Sequence, residues 1–293
     1  MQNSKLKQIS DLSRLIALEK EHGAQFKNIY NNAYLFSPFI DGSIATEKIW
    51  YEETKHGLVC YFDLGTHYRM VFSMDVRDAY TVPNLDKKIC CEFITPASRK
   101  EAVRESFHLF LERNGFVLTE KFQQELFCLR DAHQKAVLEH ENDIEKLRGL
   151  DMFAGVAQFS RVDELEGMIR DFISEYDTMN YTAEEWRRQI DAGNVVCLYR
   201  DQEIAAVCCF APDGRRIVVK PQYQGLNLGL VLGRSLHFQD RWENAKNHVH
   251  GWIRPNNVSS KKSFSKLFGE DAVVLTGKMK YRYIKPAGKG ELK

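Results

Sequence analysis

Three glycines spaced four residues apart, Gly225, Gly229 and Gly233, stand within the run VVKPQYQGLNLGLVLGRSL at residues 218–236. The valine-rich start predicts a strand that ends at the proline, because proline cannot donate a ladder hydrogen bond. A tight turn and a helix beginning near Leu226 are expected to follow. A helix start leaves backbone N–H groups without partners, and glycine lets a phosphate approach them. The chemistry predicted is therefore the binding of a mononucleotide or of the pyrophosphate of coenzyme A.

The same glycines also fit a helix that packs closely on a sheet and binds nothing. Gly229 and Gly233 fall on one helical stripe, and a side of the helix without side chains can approach a strand. The spacing alone supports both interpretations equally, so the surrounding elements have to distinguish them.

Residues that could accept a proton lie on both sides of this run. His248 and His250 alternate on a predicted strand and share one face, with His250 nearer its centre. Glu175 and Asp177 lie in a loop between two predicted helices. Histidine titrates near neutral pH, although a lone strand histidine is more often a packing residue. Two histidines are too few for a closed metal site, so no metal is expected.

In its context the run VVKPQYQGLNLG resembles the acetyl-CoA signature of the GCN5-related N-acetyltransferases, the GNAT superfamily. In that family a strand V-x-P-x-Y leads into [RQ]-x-x-G-x-[GA]. Val219, Pro221, Tyr223 and Gln224 match this pattern, whereas Asn227 stands where the family usually has glycine. Asparagine tolerates left-handed backbone geometry better than most residues, so the turn is expected to survive.

The resemblance implies an acyl-CoA-dependent N-acyltransferase, with acetyl-CoA or another acyl-CoA as cofactor and a small-molecule or peptide amine as acceptor. The strand would bind the pantetheine arm and polarise the thioester carbonyl through backbone groups, and the turn would hold the pyrophosphate. A late motif is implied to contact the cofactor arm, although its asparagine fits a helix N-cap equally well. The cofactor-binding residues so implied are Ile217, Val218, Val219, Gln224, Gly225, Leu226, Asn227, Leu228, Gly229, Asn257 and Ser260.

The resemblance also implies catalytic and acceptor-binding residues. Most members carry a tyrosine seven residues after the late-motif asparagine, to protonate the departing thiolate, but this sequence has Phe264. Tyr281 and Tyr283 on the last predicted strand are candidate substitute acids, although sheet packing is their default role, and His250 or Glu175 is the candidate base. The loop at 175–181 lines the acceptor site in relatives, which implies substrate binding by Tyr176, Asp177 and Tyr181.

The predicted elements repeat along the chain, which indicates an α/β (α+β) fold with two GNAT-like domains. Each domain is expected to be a mixed, mostly antiparallel central sheet flanked by helices. A hairpin at 57–74 and a second one after residue 194 share a Val-Cys pair, which aligns Cys60 with Cys197. FITP and WIRP each precede a helix. We predict a degenerate GNAT-like domain at 1–130, a charged linking helix at 131–150 and the signature-bearing GNAT domain at 151–293.

Composition sets the remaining expectations. The net charge of +1 over 293 residues provides no general field for nucleic acid, so no nucleic-acid partner is expected. No apolar run reaches the length of a membrane span and the N-terminus lacks a signal-peptide pattern, so we expect a cytoplasmic protein. Seven cysteines without a C-x-x-C pair indicate buried, reduced thiols.

Two alternative functions stay open: a non-catalytic acyl-CoA sensor, and an aminoacyl-transfer enzyme on a tandem GNAT fold. A homodimer also stays open.

Overall fold

The computed structural model describes residues 6–25, 30–32, 48–54, 57–75, 80–95, 101–172, 174–176, 181–211, 214–235, 248–268 and 273–288. The strands are β1 (Lys7–Ile9), β2 (Tyr30–Asn31), β3 (Ile49–Thr54), β4 (Gly57–Asp63), β5 (His67–Met74), β6 (Lys88–Thr95), β7 (Val117–Cys128), β8 (Met152–Val156), β9 (Val195–Arg200), β10 (Glu203–Ala211), β11 (Gly214–Val219), β12 (His248–Ile253) and β13 (Val273–Lys285). The helices are α1 (Leu12–Gln25), α2 (Glu101–Arg113), α3 (Leu129–Gly149), α4 (Val162–Phe172), α5 (Ala183–Asp191), α6 (Leu228–Gly233) and α7 (Val258–Phe268).

The chain forms two compact units whose boundaries differ from the predicted ones. Unit 1 comprises Met1–Phe122 and Gly277–Lys293, and unit 2 comprises Gln123–Thr276. The divisions fall inside β7 and inside β13, because the end of β13 pairs with strands of unit 1. A boundary predicted from charge along the sequence could not find this arrangement, since strand pairing is decided by distant residues.

Helix α3 is part of unit 2 and not the linking helix predicted at 131–150. Its residues Ala136 and Leu147 are buried in a core that also contains residues of β8, β9 and β10. Asp143 on α3 accepts two hydrogen bonds from the guanidinium of Arg234, at 2.5 and 2.6 Å. The high charge of this helix belongs to its solvent side, while a few apolar positions fix the helix to the unit.

Unit 1 is one mixed sheet with helices on both faces. Its strand order is β1-β3-β4-β5-β6-β13-β7, and β2 pairs with the edge of β5. The pairs from β1 to β5 are antiparallel, whereas β5 and β6 are parallel. Phe107 and Phe110 of α2 pack on one face, and Leu15 and Leu18 of α1 pack on the other.

Unit 2 contains an antiparallel sheet of order β11-β10-β9-β8. One face packs against α3, α6 and α7, and the other packs against α4 and α5. The remaining strand, β12, pairs antiparallel with the second half of β7, so that Gly251 lies opposite Glu125. Unit 1 is therefore a mixed, mostly antiparallel sheet flanked by helices, as predicted, whereas the described strand pairs of unit 2 are all antiparallel.

The two units run through the same order of elements, but not in the alignment that the sequence indicated. In each, three antiparallel strands are followed by a further strand, a helix and another strand. Topology matches β4 with β10, whereas the shared Val-Cys pair aligned Cys60 of β4 with Cys197 of β9. That alignment is wrong by one strand, because buried strands of adjacent hairpins have similar apolar patterns. The FITP and WIRP segments do correspond, since β6 and β12 each lead into a helix.

No helix among the described residues has both the length and the apolar character needed to cross a membrane.

Candidate acyl-CoA site

The signature begins where β11 ends. The N–H of Lys220 makes the last bond to β10, donating to the carbonyl of Ala205 at 3.0 Å, beside a register shift between Ile204 and Ala206. Pro221 then opens a short 3-10 turn at Pro221–Tyr223. The predicted end of the strand at this proline is confirmed, for the reason given: the residue has no N–H to continue the ladder.

The turn that follows has two left-handed residues and a set of unpaired backbone donors. Gly225 has φ 83° and Asn227 has φ 56°, and α6 begins at Leu228, two residues later than predicted. Among the described residues, the N–H groups of 225–229 have no hydrogen-bond acceptor. Successive N–H groups around left-handed residues form the concavities in which many proteins bind anions. Gly225, Leu226 and Asn227 are exposed, so an anion can reach this part of the turn, whereas Leu228 is buried.

The two glycines of the turn differ in what a side chain at each would meet. A Cβ on Gly229 would lie 3.4 Å from Cγ2 of Ile217 and 3.8 Å from Cγ2 of Val219, which is ordinary van der Waals contact, so α6 packs on β11 without requiring a glycine there. A Cβ on Gly225 would meet nothing within 4 Å. Gly225 is therefore required for its left-handed backbone, whereas the prediction gave its small size as the reason.

The tyrosine of the signature fixes the turn to the sheet. The hydroxyl of Tyr223 donates to Oε2 of Glu203 at 2.7 Å, and Nζ of Lys220 lies 3.0 Å from Oε1 of the same carboxylate. The hydrogen bond to the carboxylate raises the pKa of Tyr223, and the hydrogen bonds from Tyr223 and Lys220 lower the pKa of Glu203. Glu203 is the first residue of β10, so this cluster links the turn to the neighbouring strand.

Beside the turn lies an opening between β11 and β12, which we call the unit 2 fork. The two strands approach each other within 8 Å between Cα atoms, but no ladder joins them in the described part of the chain. Ile217 and Val219 pack towards α6, and Val218 packs in the core on the opposite face. The side-chain amide of Gln224 donates to the carbonyl of Val219 at 3.2 Å. The side-chain amide of Gln224 is thus bound to the backbone of Val219, a residue that was predicted to bind the pantetheine arm of the cofactor.

A cavity of about 300 Å³ adjoins the turn. Gln222, Tyr223 and Leu226 form one wall, and Met152 and Arg200 contribute to the other. A ligand held at the turn therefore has a place into which it can extend within unit 2.

The late motif forms a helix cap. Oδ1 of Asn257 accepts a hydrogen bond from the N–H of Ser260 at 3.0 Å, at the start of α7. The N-cap interpretation of Asn257 is confirmed, while cofactor contacts by Asn257 and Ser260 stay a prediction. Phe264 lies on the same helix, and its side chain is outside the described residues.

Tyr281, predicted as a substitute acid, belongs to unit 1, whereas the signature belongs to unit 2. It is 6% exposed, and its ring stacks on Phe93 with the centroids 5.3 Å apart. The segment from Met279 to Lys285 pairs with β6, which places Tyr281 in the apolar core beneath α2. Its alternative role in sheet packing, which the pattern also allowed, is the one observed.

The other predicted catalytic and acceptor-binding residues are only partly placed. His250 lies on β12 opposite Leu126, but its side chain is outside the described residues. Glu175 and Tyr176 are half-buried in a turn, and Asp177 lies outside the described residues. Tyr181 is 8% exposed and packs edge-on against Trp186, with ring centroids 5.2 Å apart. Acceptor binding by this loop stays a prediction.

Six cysteines are buried free thiols: Cys60, Cys90, Cys91, Cys197, Cys208 and Cys209. Cys208 and Cys209 lie in the two cores on either side of the unit 2 sheet. Their predicted role in core packing is confirmed.

Glu125 is a candidate that the sequence did not reveal. It is 4% exposed on β7, directly opposite Gly251 of β12. Burial raises its pKa, and the charge of Lys261 on α7 lowers it in part. In the sequence the residue is one polar position in a strand, and its burial is decided by tertiary structure.

Comparison with known proteins supports the fold. No protein-family model matches the sequence, and no curated protein matches it. A solved Drosophila protein matches with a TM-score of 0.53 and 10% identity, covering 97% of this chain and 99% of that one. A tandem GNAT protein from the clavulanic acid biosynthesis pathway matches with a TM-score of 0.52 and 9% identity, covering 98% and 100%.

A third solved structure matches only in one region. It is the GCN5-related glucosamine N-acetyltransferase region of a fungal multi-domain β-N-acetylglucosaminidase. The TM-score is 0.53 at 9% identity, and the match covers 95% of this chain and 38% of that one. At such identities the likeness concerns the fold alone. The chain has a GNAT fold in tandem arrangement.

Proposed function

We propose that this protein is an acyl-CoA-dependent N-acyltransferase, with acetyl-CoA as the first candidate donor and an amine as acceptor. One observation carries the proposal: the turn at 225–229, exposed at its first three residues, presents unpaired N–H groups next to the open edge of β11. Any helix start leaves such groups unpaired, and this one adds two left-handed residues that turn the N–H groups around one concavity. The tandem GNAT fold supports the same interpretation, since the turn occupies the signature position of that fold.

The proposed reaction is direct transfer. The amine attacks the thioester carbonyl, a C–N bond forms as the C–S bond breaks, and the amine loses a proton. Backbone N–H groups near Ile217 and Val219 would stabilise the charge that develops on the carbonyl oxygen. A thiol with a pKa of roughly 8.5 gives a tolerable leaving group, so the missing tyrosine at Phe264 does not prevent turnover.

We assign the role of general base to Glu125. Its raised pKa makes the carboxylate a better proton acceptor than a solvated one, and Gly251 opposite it has no side chain to cover it. Lys261 nearby stabilises the ionised form that accepts the proton.

Replacing Glu125 by glutamine is expected to reduce kcat by roughly 100-fold, with little change in the affinity for acetyl-CoA. The side chain keeps its size but loses its basicity, so the acidic limb of the pH profile of kcat should disappear as well. Glu145→Gln on the exposed side of α3 is the matched control and should retain activity. Equal kcat in the wild type and in Glu125→Gln would exclude Glu125 as the base.

Acetyl-CoA itself is expected to stabilise unit 2. At about 100 times its Kd, a ligand that binds only the folded state contributes about 2.7 kcal/mol, which a thermal-shift measurement detects. Release of the thiol in the presence of a panel of amines, polyamines and amino acids then tests transfer. No shift with any acyl-CoA contradicts the proposed function.

A non-catalytic acyl-CoA-binding protein is the second candidate. The observation in its favour is that Tyr281, the predicted substitute acid, lies in the core of unit 1. A thermal shift without thiol release for any amine in the panel would support this candidate over the enzyme.

A further inference from the structure

Unit 1 has an opening between two strands that corresponds to the unit 2 fork. Residues of unit 1 itself occupy this opening. The parallel ladder between β5 and β6 runs from His67 opposite Lys88 to Met70 opposite Cys91. Past Met70 and Cys91 no ladder joins the described residues of β5 and β6, and we call the space between these two strands there the unit 1 fork. By the order of elements, β5 and β6 correspond to β11 and β12 of unit 2.

The side chain of Asn32 lies in the unit 1 fork and bonds to both strands. Its Nδ2 donates to the carbonyl of Met70 at 3.2 Å and to the carbonyl of Glu92 at 2.8 Å. Its Oδ1 accepts from the N–H of Phe72 at 2.7 Å, and Asn32 is fully buried. One amide group thus joins the two strands where their ladder ends.

The backbone beside Asn32 occupies the rest of that edge. The N–H of Asn32 donates to the carbonyl of Phe72, and β2 pairs with Ser73 and Met74. No described strand covers the corresponding edge of β11 in unit 2. A pantetheine arm also carries amide groups, so Asn32 makes the kind of contact that such an arm would need.

The described part of the connection from β5 to β6, residues 80–87, uses backbone groups for contacts within the protein. It contains Val82 and Leu85, both 2% exposed. Oδ1 of Asn114 accepts from the N–H of Val82 at 2.7 Å, and Nζ of Lys285 donates to its carbonyl at 2.8 Å. Backbone groups that could serve a phosphate are thus used within the protein.

We propose that Asn32 and β2 replace an acyl-CoA arm in the unit 1 fork, so that each chain binds a single acyl-CoA, in unit 2. This inference rests on the proposed function for unit 2. According to this inference, contacts of Asn32 and β2 within the chain always occupy the unit 1 fork.

The test is the binding stoichiometry of the full chain, measured by calorimetric titration with acetyl-CoA. We expect one equivalent per chain, and we expect Gly225→Val, which alters only the unit 2 turn, to weaken that equivalent by roughly 100-fold. Two equivalents in the wild type, or an equivalent that keeps its wild-type affinity in Gly225→Val, would overturn the inference. Absence of binding to the wild type would instead reject the proposed function, and the single-site inference with it.

A second measurement tests the contact itself. Asn32→Ala should accelerate amide hydrogen exchange at Phe72, which loses its acceptor, and should leave acetyl-CoA binding at one equivalent. Asn114→Ala is the matched control within unit 1, because it removes the acceptor of the Val82 N–H and should accelerate exchange there first. Unchanged protection of Phe72 in Asn32→Ala would show that Asn32 does not hold the fork closed.

Discussion

Gly225→Val is expected to weaken acetyl-CoA binding by roughly 100-fold, which corresponds to about 2.7 kcal/mol. Gly225 adopts φ 83°, a region in which a β-branched residue is a strained outlier. Holding a side chain there costs on the order of 1–3 kcal/mol, so the turn should relax to another conformation. The N–H groups of 225–229 would then no longer form one concavity. Titration with acetyl-CoA measures the loss directly.

Gly193 offers a matched control for this substitution. It ends α5 in the same unit with φ 69°, and, as at Gly225, a Cβ there would meet nothing within 4 Å. Gly193→Val therefore introduces a similar strain at a site with no proposed ligand contact. It should lower the free energy of unfolding and leave the affinity for acetyl-CoA unchanged. A similar loss of affinity in both variants would mean that general destabilisation, and not the turn, explains the result.

Glu92→Gln is expected to destabilise unit 1 by about 3–5 kcal/mol, the usual consequence of removing one partner from a buried ion pair. Glu92 is 3% exposed and Arg282 is 1% exposed, and Nε and Nη2 of Arg282 lie 2.7 and 2.6 Å from Oε1 of Glu92. Nη1 of Arg69 lies 2.9 Å from Oε2, and Nζ of Lys280 lies 3.7 Å from Oε1. Without the carboxylate these cations lose their shared partner inside the sheet. Amide exchange of β6 and β13 measures the loss.

The same carboxylate predicts an acid sensitivity of unit 1. Burial alone would raise the pKa of Glu92, but the charges of Lys280, Arg69 and Arg282 outweigh it and hold the pKa well below its usual range. Because the folded pKa is lower than the unfolded value of about 4.3, the stabilisation is complete above that pH and declines as the pH falls further. This decline should be smaller in Glu92→Gln.

The pair formed by Arg14 and Glu21 is the control for Glu92→Gln. Its atoms lie 3.4 Å apart on the surface of α1, with about half of each side chain exposed. Glu21→Gln should change stability by no more than about 1 kcal/mol, because water screens an exposed pair. If Glu92→Gln were equally mild, the buried cluster would not be a main support of unit 1.

Short-range features of the site could be predicted because a few neighbouring residues decide them. Pro221 ends β11, Asn227 takes the left-handed conformation that asparagine tolerates, and Asn257 caps α7 by accepting from the N–H of Ser260 at 3.0 Å. Each of these depends on a backbone angle or on a hydrogen bond within a few residues. Of these short-range predictions only the start of α6 was inaccurate, since the helix begins at Leu228, two residues after the predicted Leu226.

The sequence by itself therefore determined the strand, the turn and a repeated GNAT-like pattern, and from these the class of ligand that we propose for the turn. Tertiary structure alone decided that β13 carries Tyr281 into unit 1, that α3 packs in unit 2, that Glu125 is buried and that Asn32 fills a fork. Each of these depends on pairing between distant segments. Many strands of this chain have interchangeable apolar patterns, so the pattern could not specify which strands would become neighbours.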